Sequence, residues 1–179
     1  MKGIVFTELL QHVESKFGLE MVDKIVKESK LESKGLYSVN EAYNFSEMLQ
    51  LLNSLSANTN ISIDDLLLVY SEHFFSVLKK SHNNIFSSYT CPIEMLSSIG
   101  NHIYLDVKRD YPTAEVPSFI IEEKTKNSIV MVYKSSRAMY SFGLGLMYKT
   151  FEHYNTTATI KFEKIRDDGT EVKFFIQKN

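Results

Sequence analysis

The sequence predicts an α+β fold: a helical N-terminal subdomain packed on a C-terminal subdomain of antiparallel sheet plus helices. Three observations carry this. Apolar residues recur at helical spacing through the first hundred positions, the period shortens to two after Pro117, and turn residues then punctuate the chain at hairpin spacing. Phe6, Leu9, Leu10, Val13 and Phe17 share one helical face, which Gly18 terminates. A second helix covers residues 21–30. Residues 44–56 and 62–79 are again periodic, and Ser62 followed by Asp65 resembles a capping box at the start of the longer helix. Cys91-Pro92 breaks the chain, after which Ile93, Leu96, Ile99, Ile103 and Val107 stack on one face of a helix ended by Pro112 and Pro117. Residues 118–122 and 128–133 form a hairpin about the polar stretch 124–127. Residues 137–154 return to helical spacing. Ile160 and Phe162 then alternate with charges, as do Val172, Phe174 and Ile176 beyond the Asp168-Gly169 turn, giving a second hairpin.

Composition narrows the function classes. The 179 residues are 44% hydrophobic and 23% charged, which suits one folding unit spanning 1–179 with ample core. Twenty Lys and Arg against 22 Asp and Glu give a net charge of −2, so nothing pulls the chain toward nucleic acid or an anionic membrane. A single cysteine, Cys91, excludes an intramolecular disulfide, a CxxC redox pair and a four-cysteine zinc site. No apolar run approaches a membrane span and the opening residues lack a signal-peptide pattern, so a cytoplasmic location is expected.

Most candidate chemical groups have simple structural explanations. None of His12, His73, His82, His102 and His153 has the spacing to Glu that zinc proteases use. His102 follows Gly100-Asn101 inside an apolar-periodic helix, where a lone imidazole is more often a hydrogen-bonded core residue than a ligand. The adjacent carboxylates Asp64/Asp65 and Glu122/Glu123 point in different directions and do not form acid/base pairs. Ser81-His82 is not expected to form a hydrogen-bonded nucleophile dyad, and Gly143-Leu-Gly145 lies within a helical pattern rather than a phosphate loop. The chain does not read as an enzyme.

One stretch is more informative. Tyr133, Ser135 and Arg137 occupy alternate positions where a strand gives way to a helix, so an extended backbone would project phenol, hydroxyl and guanidinium to one side. With helix-start N–H groups nearby, that face suits paired carboxylates. Taken locally, the same pattern is more often a solvated strand end with an N-cap serine.

Three features in order change this balance: the opening Met1-Lys2-Gly3-Ile4-Val5, the Gly100-Asn101-His102 segment, and Tyr-x-Ser-x-Arg at 133, 135 and 137. Together with the apolar run from Phe142 to Met147, they resemble the H-NOX family, heme–nitric oxide/oxygen binding domains related to the sensor domain of soluble guanylate cyclase. The resemblance covers essentially the whole chain. It implies heme b held between a helical distal subdomain, about residues 1–60, and a proximal α+β subdomain, about 61–179. His102 would be the axial iron ligand, and Tyr133, Ser135 and Arg137 would bind the two propionates. Pro117, or less readily Pro112, would press on the macrocycle.

The resemblance also bears on ligand choice. Oxygen-binding members place a distal tyrosine where this chain has Phe142, and their other polar positions correspond to Leu9 and Phe74. Val5, Leu9, Phe74, Leu78, Phe142 and Leu146 would then form a wholly apolar gas pocket unless His73 turned inward. Tyr140 should face elsewhere. Bound dioxygen relies on a hydrogen-bond donor and nitric oxide does not, so NO and CO should be favoured over O₂. The expected role is a monomeric NO sensor signalling to a separate histidine kinase or a diguanylate cyclase or phosphodiesterase. The alternatives are an oxygen-binding heme sensor, a peroxidase-type enzyme using His73, or a heme-free interaction module. The zinc-binding cysteine cluster of some members is absent.

Overall fold

The computed structural model describes residues 1–110 and 115–179; the side chains at 103, 104 and 106–110 lie outside that description, as does Pro112. The expected contributions of Ile103 and Val107 to one helical face therefore also fall outside it. Among the described residues the chain forms seven helices and four strands: α1 (Gly3–Phe17), α2 (Leu19–Glu28), α3 (Phe45–Thr59), α4 (Ile63–Ser81), α5 (Asn83–Ser87), α6 (Pro92–Asp110), β1 (Ser118–Lys124), β2 (Ser128–Lys134), α7 (Tyr140–His153), β3 (Ala158–Lys164) and β4 (Glu171–Lys178). The expected α+β architecture is observed. Two compact units result, Met1–Phe74 and Phe75–Asn179, so the chain passes from one to the other inside α4.

Local chemistry explains most helix boundaries. Gly18 takes φ 86°, a conformation that ends α1 at no Cβ cost. The Asn44 side chain accepts from the Ser46 N–H to open α3, and Asn60 closes it in the left-handed region at φ 57°. At the start of α4 the Asp65 N–H donates to Ser62 Oγ at 3.1 Å, while the Ser62 hydroxyl donates to the Asp65 carboxylate at 2.6 Å. Pro92 is the first residue of α6, where its missing N–H costs nothing.

In the first unit, α1 packs on α2 and α2 on α3 around Phe6, Leu9, Val13, Ile25, Met48, Leu51 and Leu55, all essentially buried. The connection between α2 and α3 is tied down by buried Glu47, which accepts from the Tyr37 hydroxyl at 2.7 Å and from both the N–H and the hydroxyl of Ser33. Tyr37 stacks on Phe6 at 4.4 Å between centroids. Glu47→Ala leaves these donors without their acceptor and is expected to lower stability by about 2–3 kcal/mol, read as a reduced urea midpoint.

In the second unit one antiparallel sheet, in the order β1-β2-β4-β3, carries an inward row of Ile129, Met131, Tyr133, Val172, Phe174 and Ile176. These residues form one core with Ile93 and Leu96 of α6 and Met147 and Phe151 of α7. α6 lies against β1 at Gly100, where a Cβ would stand 3.6 Å from the Phe119 carbonyl oxygen. No helix among the described residues is long and apolar enough to cross a membrane.

Candidate functional site

Tyr133 ends the inward row of β2, and the chain then turns instead of staying extended through Arg137. The Ala138 N–H donates to the Ser135 carbonyl at 3.2 Å, Ala138 takes φ 51°, and α7 begins only at Tyr140. Strand alternation is therefore not what gathers Tyr133, Ser135 and Arg137. The turn does so: the Arg137 N–H donates to Ser135 Oγ at 3.2 Å, and the Met139 N–H donates to the Tyr133 phenol at 3.0 Å. Burial pushes the Tyr133 phenol above its usual range, while the Ser135 hydroxyl, the Met139 N–H and the Arg137 guanidinium oppose that shift. The Tyr133 oxygen thus accepts from the Met139 N–H inside this turn. A hydroxyl polarised in this way beside a guanidinium matches the carboxylates of a propionate-bearing group.

His102 lies two residues beyond the Gly100 contact on α6. Phe119, opposite Gly100, sets its ring 5.7 Å from that of Tyr133. The helix bearing the imidazole and the strand bearing the phenol are thus braced by the same aromatic residue. His102 is half-buried, and its Nε2 lies 2.8 Å from the Tyr89 hydroxyl, with the two rings edge-on at 5.7 Å. Nothing in the sequence pattern pointed to Tyr89, which sits in the connection between α5 and α6. Pro117 is half-buried immediately before β1.

The six apolar residues are divided between the two units. Leu9 and Phe74 are buried in the first, where the Phe74 ring lies 5.7 Å from Tyr70 and the Tyr70 hydroxyl donates to the Val5 carbonyl at 2.7 Å. Leu78 and Leu146 pack in the second unit on the cluster of Phe75, Phe86 and Met95, which Tyr89 also touches. Phe142 is half-buried one turn before Leu146 on α7, and between them a Cβ on Gly143 would meet nothing within 4 Å. Tyr140 faces the sheet core instead, with the Lys164 amine 4.7 Å above its ring. A phenol beside a cation and an imidazole in the same unit are the kinds of group that would hold the propionates and the iron of a heme.

The remaining histidines are engaged elsewhere. His73 Nε2 lies 2.8 Å from the Glu8 carboxylate, so the acid/base candidate for a peroxidase already has a partner. Its ring lies 5.2 Å from that of His12, whose pKa is lowered first by burial and then by the charge of His73. Contrary to expectation, Ser81 Oγ and His82 Nδ1 do meet, at 2.8 Å, but the Ser81 hydroxyl also donates to the Val77 carbonyl at 2.9 Å. The pair caps the end of α4.

Comparison with known proteins identifies the family. The Haem-NO-binding family model matches residues 2–162, so the chain belongs to the H-NOX family, whose members are heme-binding sensor domains for gases such as NO, O₂ and CO. The Fe(II) unliganded H-NOX protein from K. algicida is 64% identical with a TM-score of 0.97, covering 100% of this chain and 97% of its own. The IWP-051-bound H-NOX from Shewanella woodyi, in its Fe(II)CO state, is 30% identical with a TM-score of 0.82 and 100% and 95% coverage. An Fe(II) H-NOX protein from S. oneidensis shares the fold at 19% identity and a TM-score of 0.88, with 100% and 96% coverage. No curated protein matches.

Proposed function

We propose that this protein is a heme b sensor of nitric oxide, with His102 as the axial ligand, Tyr133, Ser135 and Arg137 on the propionates and Pro117 against the macrocycle. The observation that carries the proposal is the bracing of the His102 helix and the Tyr133 strand through Phe119. When bound, heme would supply an iron able to take a diatomic gas. The protein's part is to hold an imidazole at one side and to offer the gas no hydrogen-bond donor at the other. Val5, Leu9, Phe74, Leu78, Phe142 and Leu146 are the residues proposed to face the gas, and their side chains carry none. Dioxygen needs such a donor because charge accumulates on it, whereas nitric oxide stays nearly neutral.

A change in what His102 binds would be passed to the contact of α6 with β1 at Gly100. Nitric oxide can drive this only through its different affinities for the two arrangements. The signal is then read by a separate protein, a histidine kinase or a cyclic-di-GMP enzyme. Reduced protein should bind nitric oxide and carbon monoxide and form no stable complex in air; stable oxygenation of the wild type would remove the ligand assignment. Phe142→Tyr adds the missing donor. Its oxygen complex is expected to last about tenfold to a hundredfold longer by stopped-flow absorption, the range set by a hydrogen bond to a charged acceptor.

A further inference from the structure

The iron-ligating atom of the proposed site already has a protein partner. His102 Nε2 and the Tyr89 hydroxyl are 2.8 Å apart, and the edge-on ring contact fixes their mutual orientation. A neutral imidazole protonated at Nδ1 presents at Nε2 the lone pair that a metal takes, and a phenol O–H can donate to that same lone pair. Exchange between the two partners therefore needs no proton transfer. Tyr89 is well placed for this, because its ring packs on Phe75, Phe86 and Met95, and Met95 belongs to α6 together with His102. Leu78 and Leu146 pack on the same cluster.

We propose that Tyr89 is a positioning residue for signalling: its phenol takes the His102 Nε2 lone pair when the iron–imidazole bond opens, and holds α6 in the released arrangement. The proposal rests on His102 being the axial ligand. Tyr89 thereby competes with iron for one atom, prolonging the signal after nitric oxide has acted and slowing the return of the imidazole.

The test uses Tyr89→Phe, which keeps the ring packed and removes only the hydroxyl. Reduced, heme-loaded protein saturated with nitric oxide is photolysed, and recapture of the iron by His102 is followed by transient absorption. Recapture is expected to be about fivefold faster in the variant, the weight of one neutral hydrogen bond. The unliganded reduced spectrum and the urea midpoint are expected to match the wild type, which a merely structural role for Tyr89 would not allow. An unchanged or slower recapture in Tyr89→Phe overturns the proposal. Should the wild type show recapture that His102→Gly abolishes, while Tyr89→Phe leaves it unaltered, the axial assignment stands and only the role of Tyr89 fails. Absence of any recapture phase in the wild type, or its persistence in His102→Gly, overturns both.

Discussion

His102→Gly is expected to purify nearly colourless, or to keep heme only when imidazole is supplied in the medium. The reason lies in how few anchors the proposed site provides. The proposed propionate clamp is a phenol, a hydroxyl and a guanidinium at a turn, and it would fix the edge of a macrocycle without fixing its iron. Changes in groups that merely support a metal ligand cost ten- to a hundredfold in affinity, so loss of the ligand itself should exceed about a hundredfold. Hemin transfer to a scavenging apoprotein measures this directly. Exogenous imidazole should restore binding, since removing the side chain to its Cα leaves room for a free ring. Wild-type hemin retention without imidazole would mean that another side chain holds the iron.

Gly3→Ala should produce the largest loss of stability from a single methyl group. A Cβ at this position would lie 1.8 Å from the Ser38 carbonyl oxygen and 2.9 Å from the Tyr43 ring. The closer neighbour is backbone and cannot swing aside. The approach is fixed by hydrogen bonds, because the Gly3 N–H donates to the Glu41 carbonyl at 2.7 Å and the Tyr43 N–H to that of Met1 at 2.8 Å. Overpacking of this kind costs about 3 kcal/mol or more. The effect should extend beyond unfolding, since α1 also carries Val5 and Leu9. A lowered thermal midpoint is expected to be accompanied by altered carbon monoxide binding rates. A thermal midpoint equal to that of the wild type would mean that the connection between α2 and α3 is far more mobile than its Glu47 and Tyr43 bonds imply.

The helices were legible because their apolar residues repeat and their ends carry local signals such as Gly18, Asn44 and Ser62. Both hairpins were legible from alternation and turn composition. The five-residue α5 was not, since one turn is too short to establish a period. The delayed start of α7 was also hidden, because Ala138 in the left-handed region is a choice made by the surrounding hydrogen bonds and not by alanine. This matters for the candidate site, where Tyr133, Ser135 and Arg137 are adjacent through a turn that spacing alone does not reveal. The family resemblance supplied His102, but its link to Tyr89 spans 13 residues and an intervening loop, and no local rule connects them. Ser81 and His82 illustrate the opposite error: sequence neighbours at a helix end can meet where regular helix geometry would separate them.

The crystal structure of the reduced, heme-loaded protein is the most direct measurement of the axial assignment. It should show iron bonded to Nε2 of His102 and the propionates against Tyr133, Ser135 and Arg137. Iron bonded to any other side chain, or a porphyrin whose carboxylates lie away from that turn, would contradict it.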